Sequence, residues 1–125
     1  MARKGLQNLV FLECGWTKEE GLVIPDGPNY RLLARVARKA IAANYLTRAS
    51  ARRHKAYYDR IASGSLRIEG EDRVAICTAE ESEVRSNPAA HYYLLDGVGR
   101  CLPYMMLVVE NVREFAPVEA FCADR

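Results

Sequence analysis

Hydrophobic positions along the chain switch between two spacings, and the switches divide it into elements. Leu9-Val10-Phe11-Leu12 is an unbroken apolar run with no helical period, which predicts a buried central strand ending near Cys14-Gly15. Leu22-Val23-Ile24 is a second short run, stopped by the turn-forming Pro25-Asp26-Gly27-Pro28. The fragment between them, with Trp16, reads as a loop or a single helical turn. From Tyr30 to Asn44 the apolar residues Leu32, Leu33, Val36, Ala37, Ala40 and Ile41 recur at three and four, which predicts a helix with one buried face. Arg31, Arg35, Arg38 and Lys39 fall on its opposite face. The phase drifts at Tyr45 and Leu46. Thr47 then suits the N-cap of a second helix, Arg48 to Ser63, with Gly64 at C′, so the two form a helical hairpin.

After Gly64 the period shortens. Leu66 and Ile68 alternate with Arg67 and Glu69, a turn follows at Gly70-Glu71-Asp72, and Val74-Ala75-Ile76-Cys77 resumes, which predicts a β-hairpin over 65–79. Glu80 to Ala90 reads as a polar connection. His91 to Leu95, a turn at Asp96-Gly97-Val98-Gly99 and a long stretch from Tyr104 to Phe115 predict a second hairpin, with Pro103 at its start or at an edge. The Gly-x-Gly at Gly97 and Gly99 then belongs to a turn between strands and not to the opening of a helix. The sum is a single α+β domain over 1–125: a mostly antiparallel sheet of five to six strands packed on a two-helix segment, with a small, partly closed barrel as the variant. A chain of 125 residues, half of them apolar, has room for one core of ordinary size.

Charge adds what the apolar pattern does not. The net charge is only +2, but residues 29–64 carry Arg31, Arg35, Arg38, Lys39, Arg48, Arg52, Arg53, Lys55 and Arg60 against Asp59 alone. The flanking segments are net acidic. Segregation of this kind concerns fields and partners. No apolar stretch approaches the roughly 20 residues that cross a bilayer, so no membrane partner is expected. The four cysteines, Cys14, Cys77, Cys101 and Cys122, contain no C-x-x-C pair, which argues against a zinc module and fits reduced thiols in a cytoplasmic protein. Glu80, Glu81 and Glu83 lack the order of a calcium loop, so neither a metal nor a cofactor is expected.

Phosphates are bound by several cations on one surface, and the helical hairpin supplies them. The leading expectation is therefore a small non-catalytic nucleic-acid-binding protein, for RNA or DNA, with Arg31, Arg35, Arg38, Lys39, Arg48, Arg52, Arg53 and Lys55 as phosphate contacts. Tyr45 and Tyr57 are candidates for base stacking. The alternative is a homo-oligomeric interaction or small-ligand-binding module. In it the basic helices meet an acidic surface, and the apolar Tyr104, Met105, Met106 and Leu107 form the interface. Catalysis would require Cys14, Cys77, Cys101, His54 or His91 to converge in a cleft. Tyr58-Asp59-Arg60-Ile61-Ala62-Ser63-Gly64, Gly70-Glu71-Asp72-Arg73-Val74 and Leu107-Val108-Val109-Glu110-Asn111-Val112 are loosely similar, in order, to the PUA-like barrels of the ASCH group. Ser65 and Glu71 interrupt the signatures of that group. The resemblance covers about half of the chain and implies a barrel that binds RNA or a modified nucleotide.

Overall fold

The computed structural model describes residues 1–11 and 15–123. Its elements are α1 (Arg3–Gln7), β1 (Leu9–Val10), α2 (Gly15–Glu19), α3 (Leu33–Ala42), α4 (Arg52–Ala62), β2 (Val74–Thr78), α5 (Glu81–Ser86), β3 (Tyr92–Asp96), α6 (Val98–Val109) and β4 (Ala120–Cys122). The α+β class stands, but the sheet is not the expected one. Four strands lie in the order β1-β3-β2-β4, with β1 parallel to β3, β2 antiparallel to β3 and β2 parallel to β4. This open mixed sheet replaces the expected five to six mostly antiparallel strands, and it does not close into a barrel. The late strand of paired valines in the PUA-like order is helical here. Of the first apolar run, Leu9–Val10 forms a strand at the edge and not at the centre, while Leu12 and Cys14 lie outside the described residues. Leu22 to Ile24 and Leu66 to Ile68 form no strand, and Gly70–Asp72 is a 3-10 turn.

The largest correction is α6. The expected hairpin strand from Tyr104 is a helix, buried continuously from Cys101 to Val108. A helix covered on every side is apolar on every side and therefore carries no 3.6 period to read. Leu102, Met105, Met106 and Leu107 are good helix formers, and a 12-residue apolar element is longer than most strands. Pro103 sits inside α6, where its missing N–H leaves the carbonyl of Gly99, four residues earlier, without that donor. Gly97 makes the start possible. Its φ of +111° is in glycine's territory, and a Cβ there would lie 2.5 Å from the Val74 Cγ1.

α6 lies against α3 and α4, and this three-helix layer packs on the face of the sheet that presents Val74, Ile76 and Leu94. The opposite face carries a small cluster of Val10, Leu32 and Ala90 with Tyr93 against it. α3 is amphipathic as its spacing predicts, burying Leu33, Ala34, Val36, Ala37 and Ala40. The link to α4 is two 3-10 turns, Tyr45–Thr47 and Ala49–Ala51, entered through Asn44 in the left-handed region. Thr47 does not cap α4. Its hydroxyl donates to the Asn44 carbonyl at 2.7 Å, inside the first of these turns.

Candidate functional site

The basic residues expected to form one phosphate-binding surface are not deployed together. Arg31 precedes α3 and is buried at 7% exposure. Its Nη1 donates to both carboxylate oxygens of Glu83 at 3.1 and 3.0 Å, while Nε and Nη2 donate to the Phe11 carbonyl. It therefore cannot meet a phosphate, because its donors are spent inside the fold. Arg35 and Lys39 both pair with Asp26, at 2.7 and 3.1 Å. The Lys39 hydrogen bond and the Arg35 charge hold the Asp26 carboxyl below its ordinary range. Arg48 pairs with Glu20 at 2.7 Å, and hydrogen bonds from Ser50 and Arg48 hold the Glu20 carboxyl low as well. Lys55 pairs with Asp59 one turn along α4. Arg38, Arg52 and Arg53 are exposed.

The stacking and interface candidates are also redistributed. Tyr45 is 2% exposed and has no free face for a base. Tyr104, Met105, Met106 and Leu107 are core residues of α6, so they offer no subunit interface; the Tyr104 hydroxyl is spent on Ala116, donating to its carbonyl at 2.9 Å. Cys77 and Cys101 are buried, and burial pushes the Cys101 thiol up to about 12, far from a reactive thiolate. His91 is exposed, and Cys14 lies outside the described residues. Of the described members of the expected catalytic set, His54 lines a cleft.

That cleft has a volume of about 600 Å³. Trp16 and Glu19 of α2, Glu20 after it, Tyr45 before α4, and Arg53, His54 and Tyr57 in the first two turns of α4 form one side. The end of β3 and the first turn of α6, with Asp96, Gly97, Gly99 and Arg100, form the other. The aromatic wall is built by mutual contact: the Trp16 ring lies 6.2 Å from Tyr45 and 5.0 Å from His54 between centroids. The Tyr45 hydroxyl and the His54 Nδ1 are 2.8 Å apart. Burial, with the nearby Arg53 charge, pushes the His54 imidazole down to about 4, so the ring is neutral at ordinary pH. Tyr57 lies over Gly99 so closely that a Cβ on that glycine would be 3.1 Å from its Cε2. The Arg100 guanidinium stands 3.9 Å from Asp72 and 3.7 Å from Asp96, beyond good hydrogen-bond distance, and so is held near the cleft without being saturated.

A second groove of about 310 Å³ runs between Leu66 to Glu69 and Arg113 to Val118. Its rim alternates Arg67, Glu69, Arg113 and Glu114, and it has no comparable aromatic wall. The larger cleft is therefore the candidate site. It unites Arg53, Tyr45 and Tyr57 of the expected binding set with Trp16, Gly99 and Arg100, which their local sequence places in loops and turns. The signal for Gly99 and Arg100 was Gly97-Val98-Gly99 standing between a strand and an apolar run long enough for a helix; nothing in the sequence marked Trp16. No protein-family model matches this chain, and comparison with curated proteins and with solved structures finds no match.

Proposed function

We propose that this protein binds a nucleotide unit in the cleft between α4 and the start of α6, either free or as an unpaired residue of a single strand. The observation that carries the reading is the meeting of aromatic rings and guanidinium groups in one concavity: Trp16 and Tyr57 beside Arg53 and Arg100. Aromatic faces take a planar base and guanidinium groups take a phosphate. A cleft of about 600 Å³ is in the range of small-ligand sites. The reading keeps the expected ligand chemistry and moves it from the outer faces of the helices to a pocket.

The test is calorimetry with 5′-nucleoside monophosphates, together with fluorescence anisotropy on a short single-stranded RNA, a single-stranded DNA and a duplex over a salt series. Binding that is weakened at least tenfold by Tyr57→Ala and by Arg53→Glu supports the cleft. A steep salt slope seen with strands alone identifies the polymer as the ligand. Binding of duplex that Arg38→Glu abolishes and Tyr57→Ala leaves intact returns the function to the outer helical face and refutes the proposal.

A further inference from the structure

We infer that His54 is the specificity-determining group of this cleft, presenting its Nε2–H as a fixed donor to the edge of the bound ring, so that the site selects bases with a carbonyl oxygen or an unprotonated ring nitrogen there. The inference rests on the nucleotide reading above and extends it from ligand class to base selection.

The argument begins with Tyr45. Its side chain is buried, and its hydroxyl stands 2.8 Å from the His54 Nδ1. A buried hydroxyl that gave its proton to nothing would be costly, and an unprotonated imidazole nitrogen is a far better acceptor than a phenol oxygen. The tyrosine therefore donates. Burial raises the Tyr45 phenol above its ordinary range, which keeps that proton in place. With Nδ1 accepting, the single proton of the neutral imidazole resides on Nε2.

The position of Nε2 follows from what is missing around it. Among the described residues no protein group accepts from it, and no side-chain nitrogen or oxygen is both fully buried and unpartnered. His54 itself lines the cleft, and with Nδ1 engaged by Tyr45 its Nε2 is the ring nitrogen left to meet a ligand there. The ring has little freedom to turn away. Trp16 packs against it at 5.0 Å and Tyr45 pins its other nitrogen. A donor whose orientation is held before the ligand arrives discriminates better than a mobile one, because a ligand without an acceptor leaves it desolvated and unpaired.

The experiment uses the full chain and four 5′-nucleoside monophosphates, with ribose 5-phosphate as the probe that lacks a base. The wild type is expected to rank the four nucleotides. His54→Phe keeps a ring against Trp16 and removes the donor. It should lower affinity for the preferred nucleotide about tenfold, flatten the ranking and leave ribose 5-phosphate unchanged. Imidazole ¹⁵N spectra of the wild type give a readout that does not depend on the variant folding: the free protein should show the Nε2–H tautomer, and the preferred nucleotide should shift Nε2 far more than Nδ1. A His54→Phe variant that ranks the nucleotides as the wild type does, or a proton found on Nδ1, overturns the role of His54 alone. A wild type that binds none of the nucleotides overturns the reading of the cleft and this inference with it.

Discussion

Stability should fall as the pH drops from 7 to 5, and His54 should be the cause. Its imidazole ionises near 6.5 in the unfolded chain and near 4 in the fold, where burial and the Arg53 charge oppose protonation. Between those values the unfolded chain binds more protons than the native protein. Stability is thus whole above 6.5, is lost as the pH falls through the window, and levels off below about 4. A shift of this size corresponds to about 3 kcal/mol across the whole window and to roughly 1.8 kcal/mol between pH 7 and pH 5. The ring is only half-buried, and solvent screening reduces the second figure to about 1 kcal/mol. Glu20 and Asp26, held low by their basic partners, act mainly at lower pH, below the ordinary carboxylate range. Urea unfolding at pH 7, 6 and 5 measures the slope. His54→Phe should start lower at pH 7, because the Tyr45 hydroxyl loses its acceptor, yet it should be nearly flat over the same range. A variant as pH-sensitive as the wild type, or a wild type that is flat, refutes the assignment.

Three further outcomes follow from the packing and ion pairs. Arg31→Ala should cost about 3–5 kcal/mol in urea unfolding, since it strands Glu83 and the Phe11 carbonyl, whereas Arg35→Ala at the exposed Asp26 pair should cost less than about 1 kcal/mol; equal costs would contradict the burial argument. Gly97→Ala should lose about 3 kcal/mol or more, from a left-handed backbone combined with collision against Val74, and a thermal midpoint within a degree or two of wild type would show that the start of α6 tolerates a side chain. Met105→Ala should destabilise by about 2–5 kcal/mol through a cavity in α6; a cost below about 1 kcal/mol would place Met105 at a surface, as the oligomer reading required.

What could be read in the sequence was what has two unlike faces. α3 buries one stripe and exposes another, so its period of three and four is visible in the residues themselves. From Cys101 to Val108 α6 has no outward face, and an apolar run of that kind is equally compatible with a buried strand until length and propensity are weighed. The fate of the charges was hidden for a different reason. The excess of Lys and Arg over 29–64 is plain, but the partners that absorb much of it, Asp26, Glu20 and Glu83, come from outside that segment. Only the tertiary fold brings them within 3.1 Å. Likewise the cleft draws on α2, α4, β3 and α6, and local spacing within any one of them does not reveal that Trp16 and Arg100 line the same cavity.

The parallel pairing of β1 with β3 has a consequence for how the chain reaches this state. Leu9 and Val10 find their partners in Tyr92 and Tyr93, near the far end of the sequence. At a synthesis rate of about 5–20 residues per second, the partner strand follows on the order of ten seconds later. Through that interval Leu9 and Val10 lack their partner strand, and only the local bridge of Val10 to Leu32 can form. Closing so long a loop is entropically costly, so β1 should dock after α3, α4 and α6 have assembled. A refolding experiment that probes β1 and α6 separately should find the edge strand protected last, and a nascent chain arrested before Tyr92 should expose this apolar run to whatever holds unfinished proteins.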